Sequence, residues 1–332
     1  MNYPQSQLIL DEIKKANKIL LNCHRNPDPD SIGSALAVKC VLKEMGKETT
    51  VVCPTDELYE NVNFLKGYDE IKINFNFKAA DYSLYDLFIV VDSASWSQVS
   101  GFNNPNIEAE KLIVIDHHLT NEGFGNINLV DSDVTSTAEI LYSIFEDWGV
   151  KLDSETADCL MAGIVGDTGA FRYPGAGQRT FFIAGKLMEL GADKDRAIHQ
   201  LYRSEPYELI KFYGEVLSKV EIDRDRRFVW AAISYETYEK LGKPVMAKES
   251  SASMFTQVVK GTDFGFVALE QEKNKLSISL RSRNGFDTSK IAVELGGGGH
   301  IYASGARIDL PFEQAVEKLL QTVRRIADEN KS

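Results

Sequence analysis

Five histidines occur in the 332-residue chain, at positions 24, 117, 118, 199 and 300, and four of them stand beside carboxylates or glycines. The first segment reads His24-x-x-x-Asp28-x-Asp30. Imidazole nitrogens and carboxylate oxygens at this density are a donor set for divalent cations. Asp28 and Asp30, two apart in an extended loop, point to different sides, so each can serve one of two ions. Pro27 and Pro29 restrict the backbone and Ser31 can cap a following helix, so a capped helix start with an incidental histidine satisfies the same residues. Asp92 closes the apolar run LFIVVD, and Asp116-His117-His118 closes KLIVIDHH. Asp92 alone also suits an N-cap, whereas adjacent histidines are hard to justify as core packing, where each imidazole needs a partner. Asp167 lies in GIVGDTGAFRY, where Gly163, Gly166 and Gly169 allow a backbone to approach an ion closely; a glycine-stopped helix end is the other reading.

Counting hard ligands gives Asp28, Asp30, Asp92 and Asp167, joined by His24 and His117. Six ligands with one bridging carboxylate would hold two divalent cations about 4 Å apart. The imidazoles favour Mn2+ over an all-oxygen Mg2+ or Ca2+ site, with Mg2+ and Co2+ as further options. Such a pair would acidify a bridging water into a hydroxide nucleophile.

Those residues need strands that end at one edge. Lys18 to Cys23, Thr49 to Cys53, Leu84 to Val91 and Leu112 to Ile115 read as strands buried on both faces, and residues 31–45 read as the helix joining the first two. Helical patterns over 136–148 and 156–164 complete an α/β fold, a parallel sheet with helices on both faces. Ligands bind beyond the carboxyl ends of such strands, which is where His24, Asp92 and Asp116-His117-His118 fall. The expected catalytic domain spans 1–190. A helical connector follows over 191–221. A smaller α+β domain covers 222–332, with half-buried strands near 228–234 and 275–283 and a final helix from Pro311 to Glu329.

The formal charge of -12 argues against a surface that tracks long nucleic acid. Asp and Glu interrupt the amino-terminal segment where a signal peptide would be apolar, and no apolar run approaches membrane-spanning length. The four cysteines show no C-x-x-C spacing and suit reduced thiols, so a cytoplasmic protein is expected, without membrane partners. A homodimer is compatible with all of this.

In order, His-x-x-x-Asp-x-Asp, a strand-terminal Asp, Asp-His-His and Gly-Asp-Thr-Gly resemble the DHH phosphoesterases. Gly296-Gly297-Gly298-Gly299-His300 followed by Ala303-Ser304-Gly305 resembles that family's DHH-associated domain. Size and architecture are most similar to the nanoRNase and pAp-phosphatase subgroup. The resemblance implies that His24, Asp28, Asp30, Asp92, His117 and Asp167 bind metal and that His118 turns to the substrate phosphate. Pro29 and Ser31 depart from the family's usual small residue and Ala, and neither removes a ligand. Asp116 suits a supporting catalytic role, fixing a histidine tautomer. Four glycines can present N–H groups to an anion, so Gly297, Gly298, Gly299, His300 and Arg281 become substrate contacts, with Arg283 and Arg172 as companions. The implied site lies in a cleft between domains, and the implied substrates are short: di- to pentanucleotides, pApA and adenosine 3′,5′-bisphosphate (pAp). A RecJ-type exonuclease would need more chain and a basic binding fold. A family II pyrophosphatase carries a basic motif instead of GGGGH. A catalytically silent nucleotide-binding regulator would not need six intact ligands.

Overall fold

A computed structural model describes residues 2–103, 105, 107–173, 175–299 and 301–330. The chain divides into two compact units, Met1–Ser204 and Glu205–Ser332.

In the first unit, α1 (Ser6–Lys15) leads into β1 (Lys18–Asn22), α2 (Pro29–Glu44) and β2 (Glu48–Val52). A loop with short 3-10 turns then reaches β3 (Leu87–Val91), followed by α3 (Trp96–Ser100), β4 (Leu112–Asp116) and β5 (Ile127–Val130). The helices α4 (Thr137–Asp147), α5 (Ser154–Asp167), α6 (Gln178–Glu189) and α7 (Lys194–Tyr202) complete it. The five strands are all parallel, in the order β2-β1-β3-β4-β5. Every residue of β3 and β4 is buried, as a sheet covered on both faces requires. One face packs Ile19, Leu21, Ile89, Val91, Ile113 and Ile115 against α1, α2, α4 and α5. The other packs Leu20, Phe88, Val90 and Val114 against Phe77, Tyr82 and Val99, so a loop and the short α3 cover it. Strand order reverses between β1 and β3, a switch point at which a crevice opens beyond the strand ends.

Helices α2 and α5 pack unusually close. A Cβ on Gly33 would run into the Cys159 carbonyl oxygen, one on Gly163 into Asp30 Oδ1, and one on Gly166 would lie 2.7 Å from Pro29 Cβ. Gly163 and Gly166, expected to let backbone approach an ion, instead let two helices approach each other. The helix start also differs from expectation: Asp28, not Ser31, is the cap, accepting from the Ser31 N–H at 2.9 Å with Pro29 as first helical residue.

The second unit opens with α8 (Tyr207–Ser218), then β6 (Glu221–Asp223), β7 (Phe228–Ile233), α9 (Tyr235–Lys240) and α10 (Ala247–Phe255). It continues through β8 (Phe264–Glu272), β9 (Lys275–Ser282), α11 (Ser289–Glu294), β10 (Gly298–Gly299), β11 (Ala303–Ile308) and α12 (Phe312–Glu329). Its sheet runs β10-β11-β9-β8-β7-β6, antiparallel except where β7 meets β8. Phe264, Phe266, Leu276, Ile278 and Leu280 face α11 and α12, whereas Val229, Ala231, Val267 and Leu269 face α8 and α10. The sheet is thus covered on both sides.

The stretch 191–221, read from the sequence as a connector, divides between the units. Ala197 and Leu201 of α7 join the first core, and Leu209, Phe212 and Val216 of α8 join the second. Among the described residues no helix is long and apolar enough to cross a membrane.

Candidate metal centre

The carboxyl ends of β1, β3 and β4 carry His24, Asp92 and Asp116-His117-His118, as their strand-terminal positions predict. The first turn of α2 adds Asp28 and Asp30. Asp167 is the last residue of α5, so its segment is a glycine-stopped helix end that also brings a carboxylate to the cluster. These side chains converge in three groups that could each hold a metal ion: His24 with Asp28 and Asp92, Asp92 with His117 and His118, and Asp30 with His117 and Asp167. Asp92 belongs to two groups and His117 to two. Asp92, only 1% exposed, lies at the centre: its Oδ2 is 3.4 Å from His24 Nε2 and its Oδ1 is 3.6 Å from His117 Nε2. His24 Nε2 is also 3.6 Å from Asp28 Oδ2, and His117 Nε2 is 3.2 Å from Asp167 Oδ2. Asp92 has φ of +52°, a left-handed conformation that a non-glycine residue adopts at a cost in energy and that recurs at functional sites.

Neighbouring groups fix these donors. His24 Nδ1 lies 3.0 Å from the Arg25 carbonyl oxygen, so its N–H donates there and Nε2 faces the carboxylates. Asp30 is fully buried and accepts from the Thr137 N–H at 2.7 Å, the Ala138 N–H at 3.1 Å and the Ser34 hydroxyl at 3.1 Å. Asp116 does support a histidine, and it is His118: Oδ1 lies 2.7 Å from His118 Nδ1, while Oδ2 accepts from Asn121 at 2.7 Å. Asn121 also donates to the Ser93 carbonyl at 3.1 Å. Thr137, Ser34 and Asn121 were not singled out from the sequence, because neutral residues in helix starts and loops carry no signal until folding brings them to a carboxylate.

The electrostatics fit a cation. Burial, then the charges of Asp92 and Asp28, pushes the Asp30 carboxyl well above the usual range. Burial, then Asp30, Asp28 and Asp92, does the same to Asp167. Burial alone would depress His24, yet Asp28 and Asp92 beside it raise the imidazole well above its ordinary value. Asp28 is the reverse: burial would raise it, but His24 and the Ser31 N–H hold it at about 2. Hard oxygen and imidazole donors that cannot all be charged together without a counter-ion are the donor set of a divalent metal.

Comparison with known proteins gives the same picture at the level of the whole chain. Residues 18–164 match the DHH family N-terminal domain and residues 242–329 match the DHHA1 domain. The chain thus carries a DHH-family N-terminal domain followed by a DHHA1 domain. It is 28% identical over 97% of its length to the bifunctional oligoribonuclease and PAP phosphatase NrnA of Thermus thermophilus, covering 94% of that protein. It is 29% identical to the Bacillus subtilis protein of that name, with 90% of this chain and 92% of the relative covered. An exopolyphosphatase-related protein from Bacteroides fragilis shares the fold at a TM-score of 0.91 and 24% identity, with 99% of this chain and 98% of that one covered.

The DHHA1-matching segment treats the glycine run differently from expectation. The Gly296 and Gly297 N–H groups donate to the carbonyls of Val293 and Ala292, closing α11, and Gly298 and Gly299 pair with Gly305 and Ser304 of β11. A Cβ on Gly297 would run into the Gly305 carbonyl oxygen, so this glycine is required by strand packing. The Gly296 and Gly297 donors are thus committed to the fold, which limits the anion nest expected of the run. Arg281 is half-buried on β9, with one guanidinium nitrogen 3.0 Å from the Leu280 carbonyl. Arg283 is exposed and donates to the Val259 carbonyl at 2.6 Å. Arg172, in the first unit, donates through Nε to the Gly169 carbonyl and lies 5.2 Å from the Tyr202 ring centre. His300 lies outside the described residues.

Proposed function

We propose that this chain is a metal-dependent phosphoesterase that hydrolyses short oligoribonucleotides, pApA-type dinucleotides included, to mononucleotides and/or pAp to AMP and phosphate. The observation that carries the reading is the central carboxylate of Asp92, shared by two donor groups at a sheet switch point. In this reading His24, Asp28 and Asp92 hold one ion, and Asp30, Asp92, His117 and Asp167 hold a second, with Mn2+ preferred because imidazoles take part. Bound ions would supply charge neutralisation at phosphate and a water acidified for in-line attack. The chain's own contribution is position: Asp116 orients His118 toward the substrate phosphate, and the buried donors around Asp30 keep the carboxylates from relaxing apart.

Arg281, Arg283, Arg172, Gly297, Gly298, Gly299 and His300 are the candidates for holding the substrate itself. Names of the two NrnA relatives support the substrate class. A net charge of -12 supports short over long nucleic acid. Four free cysteines suit a reducing, cytoplasmic setting.

The test incubates purified protein and Mn2+ with pAp, pApA and labelled oligoribonucleotides from two to eight residues. Conversion of short substrates, lost with chelator and falling with length, is expected. Metal-independent turnover, or processive degradation of long single strands, would overturn the reading.

A further inference from the structure

Thr137 is the first residue of α4 and is buried, and it touches two of the carboxylates that the proposed function assigns to metal. Its N–H donates to Asp30 Oδ2 at 2.7 Å and its hydroxyl donates to Asp92 Oδ1 at 3.1 Å. The next N–H, of Ala138, reaches Asp30 Oδ1 at 3.1 Å. The helix has its own cap, Ser136, whose hydroxyl serves the Glu139 N–H. That cap leaves the Thr137 and Ala138 N–H groups, which have no partner within the helix, to the Asp30 carboxylate. Asp92, meanwhile, sits in the left-handed region at φ +52° with its N–H held by the Ile115 carbonyl, so its backbone is pinned on one side and its side chain on the other.

We infer that Thr137 is a positioning residue: through one N–H and one hydroxyl it sets the spacing and orientation of Asp30 and Asp92 before any cation arrives. The inference rests on the metal-dependent reading of the site. Threonine suits the task because its hydroxyl has one proton, and a carboxylate as partner leaves that proton one direction to point. Its branched Cβ restricts the side-chain torsion further. Loss of the hydroxyl leaves the Asp30 contacts and frees Asp92 Oδ1 to rotate toward the imidazoles.

The experiment measures Mn2+ binding to chelator-treated wild-type, Thr137→Val, Thr137→Ala and Thr137→Ser proteins, beside thermal melts of each metal-free chain. Thr137→Val keeps the shape and the N–H but not the hydroxyl, and should bind Mn2+ about 10- to 100-fold more weakly, the usual penalty for removing a group that orients a ligand. Thr137→Ser should restore wild-type affinity. Thr137→Ala answers the question if the valine variant does not fold. Wild-type affinity in a folded variant lacking the hydroxyl would overturn the inference, and a lowered melting temperature with unchanged Mn2+ affinity would show a purely structural role. Absence of Mn2+ binding by the wild type would instead sink the proposed function itself.

Discussion

The end of the parallel sheet and the glycine run of the second unit both stand out in the sequence as ligand sites, yet the fold treats them in opposite ways. At the sheet end, Asp28, Asp30, Asp92 and Asp167 are gathered around His24 and His117 with more negative charge than the neighbouring groups cancel. In the glycine run, the N–H groups of Gly296 and Gly297 close a helix, and Gly298 and Gly299 pair with β11. Charge that the fold leaves uncompensated is a better functional signal than a run of permissive residues, because a permissive residue has a structural use wherever two backbones meet.

The sharpest way to break the contrast is Asp92→Ala. Because Asp92 belongs to two donor groups, its loss should abolish turnover and Mn2+ binding together, measured with pApA and by counting bound metal; a near-normal rate would contradict a shared ligand. The pH response comes next. His24, Asp30 and Asp167 all titrate above their ordinary values in the metal-free fold, whereas the unfolded chain titrates normally. The metal-free protein therefore loses stability as pH rises from the unfolded values through the raised folded ones, while Mn2+, which must displace those protons, binds better over the same span. Thermal melts with and without Mn2+ should therefore diverge progressively as pH rises above the ordinary carboxylate range. A constant gap would contradict the charge crowding.

On the other side of the comparison, Arg281→Ala should raise KM about 10- to 100-fold, as for a lost hydrogen bond from a charged donor, without changing metal content. Loss of metal would contradict the substrate-holding role proposed for Arg281. The smallest effects separate neighbouring glycines. Gly297→Ala should destabilise by about 1–3 kcal/mol through overpacking against Gly305, whereas Gly298→Ala, where a Cβ meets nothing within 4 Å, should change unfolding free energy by less than about 0.5 kcal/mol. Equal effects in denaturant melts would mean that packing does not explain the run.

Much of the site was legible because strand ends declare themselves. An apolar run that stops at Asp92 or at Asp116-His117-His118 places those side chains at a known edge, and the structure gathers them there. Asp167 was harder, since its glycines suited either a close approach to an ion or a helix end, and Gly163 and Gly166 in fact lie inside α5 and make room for α2. Strands β5 and β11 escaped notice because only one residue of β5 is buried and small residues fill β11. The roles of Thr137 and Asn121 depend on contacts made across 107 and 5 positions respectively, and no local pattern encodes either.

The central claim is that the charge gathered around Asp92 awaits divalent ions that make the site active. The most direct test restores Mn2+ stepwise to chelator-treated protein, with bound metal and pApA hydrolysis measured in the same samples. Two ions per chain, with turnover appearing only as they bind, is the expected result. Hydrolysis in the metal-free protein, or full Mn2+ loading with no hydrolysis of any short substrate, would contradict it.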